Sequence, residues 1–176
     1  FKIMVLNWFS EVSRFLLFAL LFVVLLILYG FLLQQFGIIP IGGKKAPAFV
    51  FLLFFQWWYV YKFPQRHQGE KKHFLVYFGL QYILIILTSI FSSIFLYYFF
   101  QTVSGLQMLQ AYIQQSLLEL NSYKEIIVNQ EGGEYYNSLH AGIKSIDAYS
   151  IAKDDFVQKI ALGFLPNLLI SLYYKK

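Results

Sequence analysis

The stretch FLVYFGLQYILIILTSIFSSIFLYYFF, residues 74–100, is apolar or aromatic almost throughout and carries no charged side chain. An α-helix rises about 1.5 Å per residue, so a helix of this length exceeds the roughly 30 Å thickness of a bilayer core. The stretch therefore predicts a membrane-spanning helix, and its length predicts a tilt.

Three more apolar runs lie around it, at about 15–36, 46–62 and 156–174. The first is longer than the apolar core of a signal peptide and is expected to be a retained span. The second is short and ends in interfacial aromatics such as Trp57 and Trp58. We expect four membrane-spanning helices within a single membrane domain, residues 1–176.

The fourth run is the least regular, because Lys159 and Pro166 interrupt it. A re-entrant or interfacial helix is the alternative to a full span. Asp154 and Asp155 directly precede the run and are expected to cap the N terminus of its helix.

The composition supports an all-α integral membrane protein. Hydrophobic residues make up 59% of the chain and charged residues 13%, whereas a soluble domain carries about 25% charged residues. The formal charge of +5 lies in residues that flank apolar runs, which favours a bilayer over nucleic acid as the partner. The chain has no cysteine, which excludes disulfides and thiolate chemistry.

The segment 101–155 has a different, amphipathic character. Its first part has apolar residues at three- and four-residue steps, at Leu106, Leu109, Ile113, Leu117 and Leu120. A turn is expected at 131–134, and a second helix after it. The segment is therefore predicted to form an amphipathic helical hairpin between the third and fourth spans, which lies either on the membrane or against a partner.

Basic residues predict the orientation of the chain. The loop after the second span contains Lys62, Arg66, Lys71 and Lys72, and the positive-inside rule places it in the cytoplasm. With four spans, both termini are also cytoplasmic and the acidic hairpin is extracytoplasmic. Lys44 and Lys45 are the discordant pair.

The same loop holds His67, Glu70 and His73 at three-residue spacing. Metal-binding helices usually place two histidines four residues apart and add a further ligand. His140 falls on the other side of the membrane in the predicted topology, so we interpret the three residues as a solvated turn. No metal site or cofactor is predicted.

Catalytic patterns are equally absent, and we expect no enzyme activity. Apart from Lys159, the four apolar runs contain no ionisable side chain. Pumps and ion-coupled transporters normally need such groups inside the membrane, so this class is disfavoured.

Small polar residues mark one face of the third span. Thr88 and Ser92, and likewise Ser89 and Ser93, are four residues apart, a spacing that lets two helices approach closely. They are predicted to mediate helix packing, either within the chain or between subunits. Two amides, Gln56 and Gln81, are candidates for a hydrogen bond between the second and third spans.

The order of these features resembles the domain of unknown function 4199 family of small bacterial membrane proteins. The resemblance rests on Tyr61-Lys62, the basic turn with Gly69, SIFSSIFLYYFF (89–100) and NLLISLYYKK (167–176). It implies four helical spans in a bacterial inner membrane, and it implies no functional residue.

Two functions remain open from the sequence. The first is a non-catalytic accessory or structural subunit of a larger inner-membrane assembly, with other membrane proteins or further copies of the chain as partners. The second is a channel or a carrier of neutral small molecules, for which Gln56, Gln81 and Ser92 would line the polar path.

Overall fold

A computed structural model describes residues 2–66 and 73–175. The described part is helical and contains no strand, as the sequence predicts. The helices are α1 (Lys2–Gln35), α2 (Phe49–Arg66), α3 (Phe74–Phe99), α4 (Val103–Ser122), α5 (Lys124–Glu131), α6 (Gly133–Lys144) and α7 (Ala148–Tyr174), with a 3-10 helix at Gly42–Ala48 before α2.

Three of these helices are long and apolar enough to cross a membrane. The candidate spans are Phe9–Gln35, Phe74–Phe99 and Ala148–Tyr174. The run predicted at 46–62 corresponds to α2, which has 18 residues and extends beyond Pro64 to Arg66. It does not qualify by length and composition, so four crossings remain a prediction.

The chain divides into two compact units, Phe1–Phe95 with Asp154–Lys176, and Leu96–Lys153. In the first unit, aromatic side chains fill the contact between α1 and α2. The ring centroids of Phe15 and Tyr59 are 4.8 Å apart, and those of Phe18 and Phe55 are 5.5 Å apart. These large rings bury much apolar surface close to the helix axes.

The second unit contains three helices where the sequence predicts two. α4 ends at Ser122, and α5 begins at Lys124 after a break at Tyr123. Gly132, with φ of 93°, separates α5 from α6 at the predicted turn. Few side chains of α4, α5 and α6 are buried, among them Leu109 and Tyr136.

The start of α7 differs from the prediction. The helix begins at Ala148, about two turns before Asp154 and Asp155, so these two residues do not cap it. Asp147 has that role: its carboxylate accepts a hydrogen bond from the Ser150 backbone N–H at 2.8 Å, and the Ser150 hydroxyl accepts one from the Asp147 N–H at 2.9 Å. This reciprocal pair satisfies two backbone donors that helix formation leaves free.

Candidate functional site

A polar stripe runs along one face of α7. Its members recur every four residues and are all buried: Asp155, Lys159, Gly163, Asn167 and Ser171. Residues four apart share one face of a helix, and the opposite face exposes apolar side chains such as Leu165 and Leu169. The helix is thus polar towards the protein and apolar outwards, as expected of a helix that meets lipid.

One end of the stripe is joined to α3 by a chain of hydrogen bonds. The Gln81 amide donates to the Ser171 hydroxyl at 2.7 Å, which donates to Asn167 Oδ1 at 3.1 Å. The Asn167 amide then donates to the backbone carbonyl of Phe78 at 3.1 Å. This chain of hydrogen bonds begins at Gln81 of α3 and ends at Phe78, one turn earlier on the same helix. It therefore links α3 and α7 at two points.

The other end of the stripe holds a buried ion pair. The Lys159 ammonium donates to Asp155 Oδ2, and both residues are 4% exposed. The Ser92 hydroxyl of α3 donates to the same oxygen at 2.9 Å, and the ammonium lies 5.4 Å from the centre of the Phe22 ring of α1. Hydrogen bonds and a cation–π contact therefore offset part of the cost of removing these charges from water.

A small cavity adjoins this ion pair. It has a volume of about 50 Å³ and is lined by Asp155, Gln158 and Lys159, by the backbone-rich Gly42–Gly43 segment, and by apolar side chains that include Phe22. Its walls are mostly apolar, with polar groups at the ion pair and Gln158. By volume it is large enough for a few water molecules, since one needs roughly 10–15 Å³.

The middle of the stripe is a close helix contact. The Gln56 amide of α2 donates to the Gly163 carbonyl oxygen at 3.4 Å, and a Cβ atom at Gly163 would lie 3.1 Å from Cδ1 of Ile85. The candidate bond between Gln56 and Gln81 is not observed: the Gln56 amide donates to Gly163 and the Gln81 amide to Ser171, both in α7. Neither Oε1 accepts a hydrogen bond from the described residues.

The four predicted packing residues of the third span have different environments. The side chains of Thr88, Ser89 and Ser92 are fully buried within the single chain. Thr88 and Ser89 donate back to carbonyl oxygens of their own helix, and Ser92 also reaches Asp155. The Ser93 hydroxyl is buried without a partner among the described residues. Burial inside one chain favours the intramolecular packing alternative.

The predicted topology determinants lie at the end of α2 and after it. The Lys62 ammonium is 5.2 Å from the centre of the Trp58 ring and 5.3 Å from that of Tyr61. Arg66 is the last residue of α2. Lys71 and Lys72 lie outside the described residues, as do His67 and Glu70. In the described part of the chain, no group of three or more potential metal ligands forms a cluster.

Two groups of ionisable side chains are buried between the helices more deeply than the sequence predicts. Glu11 of α1 is 5% exposed; it accepts a hydrogen bond from the Tyr59 hydroxyl at 2.5 Å and pairs with Arg14. Asp155 and Lys159 form the second such group. Both groups fall within the candidate spans Phe9–Gln35 and Ala148–Tyr174, which extend beyond the predicted runs 15–36 and 156–174.

The second unit carries an open apolar groove of about 460 Å³ between α4, α5 and the end of α6. The lining comprises Tyr112, Ser116, Glu119, Leu120, Tyr123, Ile126, Ile127, Ile143 and Ile146. Tyr123 and Ile126 are 53% and 54% exposed. The described side chains of this unit therefore leave an apolar surface uncovered.

Comparison with known protein families, with curated proteins and with solved structures found no match.

Sequence reasoning missed the polar stripe of α7. The signal is present in the printed sequence, because Asp155, Lys159, Gly163, Asn167 and Ser171 are four residues apart. Four of the five lie within the predicted run 156–174, and extending the helix upstream adds Asp155. The groove has a weaker signal, since its apolar positions in α4 are the ones that predict the amphipathic helix.

Proposed function

We propose that this protein is a non-catalytic integral membrane protein and acts as an accessory or structural subunit of a larger membrane assembly. The observation that carries the proposal is the apolar groove of the second unit. Monomeric soluble proteins rarely leave large contiguous apolar surface exposed, and outside the membrane-spanning helices such a surface marks a protein–protein or membrane interaction site.

The polar stripe of α7 supports the same role. Its hydroxyl, amide and charged groups make hydrogen bonds and contacts to α1, α2 and α3, and the described side chains are closed off from solvent. Groups held in helix–helix contacts make a rigid scaffold. A rigid scaffold with a separate apolar surface suits a subunit whose task is to hold another protein.

The proposal extends to topology and location. We place the chain in a bacterial inner membrane with four crossings, with α2 as the second, both termini in the cytoplasm and the second unit on the far side. The Trp57 and Trp58 rings near the end of α2 support an interfacial position for that end. Relation to the domain of unknown function 4199 family is part of this proposal and rests on the residues quoted above.

Extraction in a mild detergent followed by native mass spectrometry tests the proposed function. We expect the chain in a complex with at least one further membrane protein or with copies of itself, at native expression level. A lone chain at every concentration measured would overturn the proposal.

A carrier or channel for neutral solutes is the second candidate, and one observation favours it. The buried Oε1 atoms of Gln56 and Gln81 accept no hydrogen bond from the described residues, and a polar solute or water could donate to both. Uptake of radiolabelled glycerol by vesicles that contain the protein tests this candidate. Glycerol entry no faster than into empty vesicles would count against it for a solute of this size.

A further inference from the structure

The apolar groove of the second unit has the dimensions of a helix-binding site. On α4 its wall runs from Tyr112 to Leu120, which corresponds to about 12 Å or two helical turns. Isoleucines of α5 and α6 form the opposite side, and the volume of about 460 Å³ lies in the range of binding pockets. Two turns of a partner helix present apolar residues at i, i+3 or i+4, and i+7 to such a groove.

The charge of the groove selects among possible occupants. Glu119 is the charged residue among those that line it. The unit that contains the groove, Leu96–Lys153, has five acidic residues against three lysines. One of these lysines, Lys124, lies over the Tyr136 ring at 5.4 Å. An anionic bilayer surface attracts basic segments and not acidic ones, so lipid headgroups are a poor match.

We propose that the groove binds one amphipathic helix of a partner protein, with a Lys or Arg beside the apolar stripe of that helix. This inference rests on the proposed function. The apolar side chains of that helix cover Ile126, Ile127 and Ile143. Its basic residue pairs with the carboxylate of Glu119. A partially desolvated pair of this kind fixes the register and the choice of partner.

The test measures binding of two labelled synthetic helices to the full chain in phosphatidylcholine nanodiscs. Both have about 18 residues with Leu at i, i+3, i+4 and i+7; one carries Lys beside the stripe and the other Glu. We expect the Lys helix to bind at least roughly tenfold more tightly than the Glu helix, after subtraction of binding to empty nanodiscs.

Charge variants identify the contact. Glu119→Lys should remove that preference or reverse it, whereas the matched change Glu131→Lys, at an acid outside the groove, should preserve it. Equal binding of both helices, or the same loss in both variants, would overturn the role of Glu119.

Apolar variants identify the groove. Ile126→Ser should weaken binding by roughly tenfold, and the matched change Leu118→Ser, at a residue that is 71% exposed and outside the groove, should leave it unchanged. Because both side chains are exposed, neither change is expected to unfold the chain. Binding unaffected by Ile126→Ser would show that the helix sits elsewhere.

Native mass spectrometry of the same variants separates this inference from the proposed function. If a partner copurifies equally with wild type, Glu119→Lys and Ile126→Ser, the function stands and the groove assignment fails. If no partner copurifies while the Lys helix still binds through Glu119 and Ile126, the groove assignment stands and the proposed function fails. A homodimer that Ile126→Ser disrupts would show a second copy as the occupant and overturn the inference.

Discussion

Asp147 shows how one side chain sets the start of a helix. Hydrogen bonds from Ser150, first from its backbone N–H and then from its side chain, hold the pKa of the Asp147 carboxyl below its usual value. The ionised form is therefore favoured by folding. Its stabilising effect is complete above the unfolded pKa of about 3.9 and is lost as the pH falls through the lower folded pKa.

Asp147→Asn is accordingly expected to lower the unfolding temperature at pH 7, and the difference from wild type should shrink as the pH falls below about 4. Thermal unfolding in detergent, followed by circular dichroism across this range, measures both. The exposed residue Asp154, replaced in Asp154→Asn, serves as the control and should show a smaller effect at neutral pH. A difference independent of pH would contradict the capping role.

Asp155 is the residue on which the buried ion pair depends. Asp155→Asn removes the carboxylate that Lys159 and Ser92 contact, in a site that is 4% exposed. We expect a loss of about 3–5 kcal/mol in the free energy of unfolding, because removal of one member of a buried pair leaves a poorly compensated charge. Denaturant unfolding in mixed micelles measures this quantity.

The double variant Asp155→Leu with Lys159→Met should recover much of that loss, since apolar replacements of a buried pair are often neutral. Asp154→Asn is again the surface control, expected within about 0.5 kcal/mol of wild type. If Asp155→Asn were as stable as wild type, the pair would be solvated and the description of a closed polar stripe would be wrong.

At the scale of an element, α7 depends on Gly163 for its approach to α3. A Cβ atom there would lie 3.1–3.3 Å from three carbons of Ile85. Gly163→Leu should destabilise the first unit by about 1–3 kcal/mol through overpacking. Gly79→Ala is the matched control, because nothing lies within 4 Å of its Cβ position. Removal of the helical glycine there should be neutral or stabilising by about 0.5–1 kcal/mol.

The micelle unfolding assay distinguishes these two glycines. Equal behaviour of Gly163→Leu and Gly79→Ala would mean that α7 and α3 are not in close contact at Ile85. Gly163→Ala is a milder third variant, in which the Ile85 side chain can move aside by a few tenths of an ångström.

Apolar runs predict the existence of helices well and their ends poorly. The run 74–100 has a clear length signal and matches α3 to within one residue. In contrast, polar residues before 156 suggested that the fourth helix started there. α7 continues upstream to Ala148, with Ile151, Ala152 and Asp155 buried and Lys153 and Asp154 exposed, and the reciprocal hydrogen bonds of Asp147 mark its start. The break at Tyr123 carries neither Gly nor Pro, so nothing in the local sequence separates α5 from α4.

At the scale of the whole molecule, contacts across the chain could not be predicted from one sequence. Gln56 and Gln81 were candidates as partners of each other, yet both donate to α7, more than 85 residues away. Single-sequence patterns indicate which faces are polar but not which neighbour they meet. The groove illustrates the same limit, because three helices contribute to it.

The proposed orientation of the molecule rests on its basic residues. Replacement of Lys62, Arg66, Lys71 and Lys72 by Gln should weaken or invert it, because basic residues near span ends retain a loop in the cytoplasm. A reporter fused within this loop measures its location before and after the change. Replacement of Lys44 and Lys45, the discordant pair, is the control and should leave the location unchanged or more uniform. A loop that stays cytoplasmic in the fourfold variant would refute the assignment.

The buried stripe of α7 has a consequence for the order of events during synthesis. α7 is the least apolar of the three candidate spans, and a Lys or Asp in the middle of a helix costs about 2.5–3.5 kcal/mol to insert on its own. α3 precedes α7 along the chain and offers Ser92, Gln81 and the Phe78 carbonyl as partners. We therefore expect α7 to insert into the bilayer after α3 and in contact with it. In a ribosome-bound chain that lacks α3, α7 should fail to insert and remain in water.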